Sequence, residues 1–553
     1  MKKFLFVVIL FSSIQDAFSY SKYWVLFTNK TGTPYTTTNP SVYLSARSIQ
    51  RRVNQGIPVI PRDFPPNPSY VSQVLAIPNV TLNYRSRWFN AISITTTDPN
   101  AITAINALPF VQSCAPVKRL RGDVREENTA FPIVADNART QAVLQPQVYN
   151  YGQSGGQISQ IGGDCLHNLG FHGEGMQIAV LDAGFLNINT IIAFDSLFIN
   201  NRILGTWDFV SGNSNVFDDD QHGEMVLSCM GGWLDGQIIG TAPKAKYWLL
   251  RTEDAPTEYV IEEDNWAAGA EYADSVGADV INTSLGYTTF DDASQNHVYA
   301  TDMDGNTCMS TRAADFAVAV GMFVTVSAGN SGGGPWNFVG APADADSVLT
   351  VGAVDLSGVL AGFSSRGPSA DGRIKPDVSA CGNGATVAAQ GGGIQNANGT
   401  SFSSPITCGA VACLWQAHPT FTNRQVYQAI IQSASQFSTP DNDYGYGIPN
   451  FCNANLILSG SDPKNFNADN LISVFPNPFG VEFSFSFYSS KDQIIKIRLT
   501  DLQGKLIADD ELQVKGNTFN YPRMTQLGTL SSGIYLFNLI SGEKVFTKKI
   551  VKQ

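Results

Sequence analysis

Asn398-Gly399-Thr400-Ser401-Phe402-Ser403-Ser404-Pro405 leads straight into Ile406 to Trp415, a run without a single charge. Such a run predicts a buried helix. Pro405 suits its first turn, where an N–H is not needed. Ser401 then falls at the N-terminal end, where open N–H groups and the helix dipole favour negative charge. That place suits a nucleophile, and it equally suits an ordinary N-cap. The choice depends on a base, an orienting acid and an oxyanion donor elsewhere in the chain.

Upstream, from about 158 to 458, strand-like and helix-like runs alternate. Gln177 to Leu181, Tyr247 to Arg251, Asp279 to Asn282, Phe323 to Ser327 and Val348 to Val351 read as strands. Thr257 to Val276 and Thr311 to Val320 read as helices between them. Apolar strands alternating with helices imply an α/β unit with a parallel sheet covered on both faces. Sites on such sheets form beyond the carboxyl ends of the strands. Asp182 closes the strand Ile178-Ala179-Val180-Leu181, where it is either a site carboxylate or a turn residue. His222 precedes the helix-like Met225 to Met230, as a base or as a cap. Asn330 follows Thr325-Val326-Ser327-Ala328-Gly329, as an oxyanion donor or a turn amide.

The order Asp, His, Asn, Ser on one α/β unit is the chain order of one known serine-triad arrangement. Here the chain resembles the subtilisin-like serine peptidases, the subtilases. The likeness rests on Ile178 to Gly184, His222-Gly223, Ser284-Leu285-Gly286, Ser327 to Asn330, Val339-Gly340-Ala341-Pro342, Phe363 to Gly367 and Gly399 to Pro405. The resemblance implies Ser401 as nucleophile, His222 as base and Asp182 as its orienting acid. It implies an oxyanion hole from the Asn330 amide and the Ser401 N–H. It makes Ser284, Leu285 and Gly286 a strand that pairs with the substrate polypeptide. Ser327, Gly329 and Gly340 would wall the pocket for the residue before the scissile bond, with room for a large apolar side chain. The chain departs from the family pattern twice. Ala183 stands where Ser or Thr is usual, which removes a hydroxyl hydrogen bond to Asp182. Glu224 replaces the Thr after His-Gly, and a carboxylate near His222 would raise its pKa.

The flanks fit this picture. Lys2-Lys3, the apolar Phe4 to Phe11 and Ala17-Phe18-Ser19 read as a signal peptide over 1–19. Residues 20–118 read as strand, helix, strand, strand, helix, strand, a split βαβ unit that resembles subtilase pro-segments. A Gln/Asn/Gly-rich linker, 119–157, carries Arg119, Arg121 and Arg125 as places for nicking. Residues 462–553 read as short strands of an all-β sandwich. Val474-Phe475-Pro476-Asn477-Pro478, Leu530 to Tyr535 and Thr547 to Val551 there resemble the type A sorting domain of the Bacteroidetes type IX secretion system. The chain is thus expected to be a preproenzyme that reaches the cell surface or the medium through the periplasm. Its expected partners are its own pro-segment, the type IX machinery and polypeptide substrates.

Net charge of −12 argues against nucleic acid or an anionic membrane as partner. No run approaches the ~20 apolar residues of a membrane span. The eight cysteines show no metal-ligand spacing and read as small buried thiols. No cofactor is expected. Calcium remains open at Asp218-Asp219-Asp220, which otherwise reads as a solvated acidic loop, and Glu262-Glu263-Asp264 reads as a solvated first helical turn. Charge is divided sharply, with 12 Lys/Arg against 3 Asp/Glu in residues 20–125 and 10 against 34 in residues 126–459. That split suits electrostatic steering between the two units. Two other readings stay open, an inactive subtilase fold used for binding and a peptide ligase on the same scaffold.

Overall fold

The computed structural model describes residues 20–119, 149–460 and 473–552, apart from 476–478, 490–491, 515–517, 521, 526 and 543. The expected signal peptide, most of the linker and the Pro476-Asn477-Pro478 segment of the sorting motif lie outside these residues.

At the centre is a seven-stranded, all-parallel sheet. Its order is Val378–Cys381, Leu349–Val354, Phe323–Ser327, Val280–Thr283, Gln177–Asp182, Lys246–Arg251, Ile203–Asp208. Strand alternation divides the domain into two cores. Ile178 and Val180 enter the one filled by helices His222–Gly231 and Thr400–Ala417. Ala179 and Leu181 enter the other, beneath helices Ile261–Val276 and Met309–Ala319. An apolar strand buried on both faces is what the uninterrupted Ile-Ala-Val-Leu run requires.

The serine helix starts at Thr400, so Pro405 is its sixth residue and not part of its first turn. A proline there removes the N–H that would bond to the Ser401 carbonyl. That carbonyl accepts instead from Ser284 Oγ at 2.9 Å, so nothing is left unpaired and the helix continues.

Three more expectations are corrected. Cys165 and Cys452 form a disulfide that ties helix Gly163–Asn168 to helix Phe451–Leu458, 287 residues later. Spacing along the chain cannot reveal such a pairing. Six cysteines remain as thiols. Glu262, Glu263 and Asp264 are all buried. Glu262 accepts from the N–H groups of Asp254 and Tyr259, and Glu263 from Ser310 and His297. A carboxylate in a first turn is drawn inward when main-chain donors face it. The Asp218–Asp220 loop is engaged as well, through Arg251 to Asp219, Asn215 to Asp218 and the His222 N–H to Asp220.

Residues 20–119 form a four-stranded antiparallel sheet in the order Thr81–Ser86, Ala91–Thr95, Tyr20–Phe27, Val111–Arg119. Its strands alternate too. Val25 and Phe27 enter the unit's own core with Val71, Val74, Ile92 and Ile105. Trp24 faces the other way and packs with Trp88, Phe89 and Val117 into the second core of the large domain. Ions follow the same interface. Arg51, Arg52 and Arg87 converge on buried Asp274, and Ser86 and the Arg87 N–H bond to Glu271.

The tail is a sandwich of two sheets. One runs Ser473–Phe475, Phe483–Ser489, Thr518–Asn520, and the other Leu506–Val514, Gln493–Asp501, Gly533–Ser541, Lys544–Lys552. Phe483, Phe485, Ile497, Leu499, Phe537 and Leu539 fill the space between them. Leu506–Val514 was not legible as a strand, because its exposed acids break the apolar alternation. Cross-strand pairs of Asp509 with Arg498 and of Glu511 with Lys496 hold it.

Candidate active site

Asp182 is the last residue of its strand and is fully buried. His222 is the first residue of helix His222–Gly231, and its Nδ1 lies 2.7 Å from Asp182 Oδ1. Gly223 permits this approach, since a Cβ there would meet the Gly184 carbonyl at 2.2 Å. The Ala183 N–H donates to the same Oδ1 at 2.9 Å. Oδ2 is buried and receives no hydrogen bond from the described residues, in keeping with the hydroxyl that Ala183 lacks.

Ser401 is the second residue of its helix, and its Oγ donates to the Ser284 carbonyl at 3.4 Å. Ser401, His222 and Asn330 line one cavity of about 220 Å³, together with Ser284–Gly286. Asn330 is fixed by a residue that the sequence did not single out. Thr400 donates to Asn330 Oδ1 through both its N–H, at 2.9 Å, and its Oγ1, at 3.0 Å. With the oxygen so engaged, the amide nitrogen is left for the cavity. Thr400 Oγ1 also accepts from the N–H of Gly329, which sits at φ +100°. Thr400 thereby joins the serine helix to the strand end beside it.

A second cavity, about 140 Å³, adjoins the first. Ser327, Gly329 and Gly340 line it, as does the Ser284–Gly286 segment that continues strand Val280–Thr283. A Cβ at Gly340 would stand 2.7 Å from Thr288 Cγ2 and narrow it.

Burial works against a charged His222, but Asp182 at Nδ1 outweighs it, and Asp220 and Glu253 add to the effect. The pKa is therefore raised above the ordinary 6.5. Glu224 plays no part in this, contrary to expectation. Two residues along a helix is more than half a turn, so its side chain leaves the histidine and binds Gln390 instead. Burial pushes Glu224 itself up to about 7. One carboxylate that does act on the histidine and that the sequence did not single out, Glu253, sits two residues past strand Lys246–Arg251. Its place at a strand's carboxyl end was the one signal that could have found it. Asp218–Asp220 do not fit a calcium site, because the Arg251 guanidinium already bridges Asp208, Asp219 and Asp254.

Residues 173–447 match the model of the subtilase family. Subtilisin E of Bacillus subtilis (strain 168) is 32% identical over 294 residues, which cover 52% of this chain and 68% of that protein. The subtilisin of Bacillus pumilus is 31% identical over 297 residues, covering 53% and 95%. This chain belongs to the subtilase family. Residues 22–130 match the Bacteroidota propeptide domain of peptidase family S8, and residues 473–553 match a secretion-system C-terminal sorting domain. The subtilase is therefore a serine peptidase made as a proenzyme with a sorting domain. That domain implies export to the cell surface or the extracellular space. No helix among the described residues is long and apolar enough to cross a membrane.

Proposed function

We propose that this subtilase is an endopeptidase that acts through an acyl-enzyme on Ser401, with His222 as general base and Asp182 as its orienting acid. The observation that carries the reading is the 2.7 Å bond between His222 Nδ1 and Asp182 Oδ1, with His222 lining a cavity shared with Ser401 and Asn330. A bond at Nδ1 leaves Nε2 to take the Ser401 proton. Ser401 Oγ attacks the scissile carbonyl, and His222 passes the proton to the leaving amine. Water then repeats the sequence on the ester. The Asn330 amide and the Ser401 N–H, at the start of a helix, meet the charge on the oxyanion. Ser284, Leu285 and Gly286 pair with the substrate main chain, and Ser327, Gly329 and Gly340 receive the large apolar side chain before the scissile bond.

In this reading residues 20–118 inhibit the peptidase domain, 158–458, until the 119–157 linker is cut. Residues 462–553 deliver the enzyme through the periplasm by type IX secretion. A binding protein has no use for His222, Asn330 and Ser401 around one cavity with Asp182 behind the histidine, which favours an active enzyme over an inactive one. The test is labelling with a serine-directed fluorophosphonate. Wild type should label and process itself, and Ser401→Ala should do neither. Full labelling of Ser401→Ala refutes the assignment.

A further inference from the structure

The two cavities meet at Ser401, Asn330 and Ser284–Gly286, yet they differ in charge. The one walled by Ser327 and Gly340 has no ionisable side chain among its lining residues. The one beside His222 is lined by Asp220, Glu253 and Glu258, and by no Lys or Arg among the described residues. Glu253 is 8% exposed and takes a hydrogen bond from Tyr287 Oη at 3.1 Å, while Glu258 is half-buried. Carboxylate oxygens of Glu253, Glu258 and Glu262 lie within 4.8 Å of one another.

The main chain of Leu285 and Gly286 continues a strand but pairs with no described strand. A peptide laid along it as an added strand directs successive side chains to opposite sides. When the residue at the scissile bond fills the neutral cavity, the residue before it turns toward Glu253 and Glu258. We propose that Glu253 and Glu258 form a subsite for a lysine or arginine side chain at that preceding position. The proposal rests on the reading of Ser401 and its cleft given above, and it defines the class of peptide the cleft prefers.

The chain's own propeptide supplies an independent argument. Its last described strand ends Val117-Lys118-Arg119, and Arg121 and Arg125 follow in sequence. Lys118 is paired in register with Lys22, whose Nζ donates to the Val210 carbonyl at 3.3 Å. Val210 follows Phe209, whose N–H donates to the Arg251 carbonyl, two residues ahead of Glu253. The propeptide strand thus ends beside the strand end that bears the acidic wall. If the 119–157 linker is cut as read above, the first segment to meet the cleft is basic where the cleft is acidic.

The test uses the processed full-chain enzyme and fluorogenic peptides with leucine before the scissile bond and Lys, norleucine or Glu at the preceding position. The Lys peptide should exceed the norleucine peptide in kcat/KM by about tenfold or more, which is what one charge-assisted hydrogen bond confers. The Glu peptide should be the poorest. In Glu253→Gln/Glu258→Gln the Lys-to-norleucine ratio should fall toward one, and in Glu258→Lys the Glu peptide should gain on the Lys peptide. A merely structural role would lower all peptides alike. The wild-type ratio should also shrink as salt rises, a measurement that needs no variant. A wild-type ratio near one on peptides that are cut, or a ratio indifferent to salt, overturns the subsite. Failure of the peptidase reading looks different, because no peptide is cut at all, and the subsite falls with it.

Discussion

Helix Ile261–Val276 carries buried carboxylates at both ends, and Glu262 at one end behaves in the opposite way to Asp274 at the other. Its first turn holds Glu262, at the end where the helix dipole favours an anion. Its last turns hold Glu271 and Asp274, at the end where the dipole disfavours one. Burial would push all three up. Burial and the neighbouring Glu253 and Glu258 hold Glu262 well above the usual carboxylate range. At Asp274, Arg87, Arg51 and Arg52 overcome burial and hold the carboxyl well below that range. Between Glu262 and Asp274 the partners decide the direction and the dipole does not, while Glu271, facing Arg87 alone, is still pushed up by its burial. At the Asp274 end those partners come from the propeptide. At the Glu262 end the facing charges are acidic, and the opening is the cleft proposed for the substrate.

Removing the acid at the propeptide end should give the largest effect. Asp274→Asn leaves three guanidinium groups without their shared carboxylate, in a contact where Arg51 and Arg52 are almost wholly buried. Breaking one buried pair costs about 3–5 kcal/mol. Inhibition of the mature enzyme by the propeptide should weaken by about 10²–10³-fold, mostly through faster dissociation. An inhibition constant within a factor of a few of wild type would mean that the apolar contacts of Trp24, Trp88 and Phe89 hold the propeptide by themselves.

A third carboxylate sharpens the contrast. Glu224 is buried like Asp274, but its only hydrogen-bond donor among the described residues is the Gln390 amide. Its folded pKa, about 7, lies above the ordinary 4.5. The folded protein therefore keeps a proton that the unfolded chain has lost. Stability declines as pH rises from about 4.5 to about 7 and levels off beyond. Glu224→Gln should recover on the order of 3 kcal/mol at pH 8 and little at pH 4, read from denaturant unfolding at the two values. An equal change at both would show that the carboxyl is not protonated at neutral pH.

How much of this could be read in advance depended on distance along the chain. Asp182, Asn330 and Ser401 each border an apolar run, so local pattern marks them, and their order on one α/β unit groups them with His222. Five of the seven sheet strands were likewise visible as apolar runs, whereas the two edge strands, the half-exposed Ile203–Asp208 and the short Val378–Cys381, were not. What escaped depended on contacts that no local pattern holds. The Cys165–Cys452 link spans most of the domain. The Ser401 carbonyl tolerates Pro405 only because Ser284, over a hundred residues away, supplies a hydroxyl. Glu262 to Asp264 look solvated until the main-chain and side-chain donors packed around them are known.

The two ends of the helix should also part in the pH profile. Glu253 helps to raise the pKa of His222, whereas Asp274 does not feature among the groups acting on it. The acid limb of kcat/KM should lie above pH 6.5 in wild type, since activity is lost once the imidazole is protonated. Glu253→Gln should move that limb to lower pH, and Asp274→Asn in the mature enzyme should leave it in place. A limb that moves with Asp274 would tie the two acid groups together through the helix.

The smallest expected effect lies at Ala183 and concerns how strongly Asp182 can act. Asp182 Oδ1 accepts both from His222 and from the Ala183 N–H, while Oδ2 has no donor among the described residues. A hydroxyl on Oδ2 would draw negative charge away from Oδ1, which holds the imidazolium. Ala183→Ser offers Oδ2 a hydroxyl. One hydrogen bond is worth about 1 kcal/mol, less than one pH unit, and only part of it reaches the histidine. The acid limb of kcat/KM should therefore move down by roughly half a unit at most, with the plateau at high pH little changed. The direction separates the explanations. A downward shift means that the hydroxyl takes up charge on Asp182. An upward shift would mean that it tightens the Asp182–His222 contact instead, and that wild type is limited by geometry at this pair.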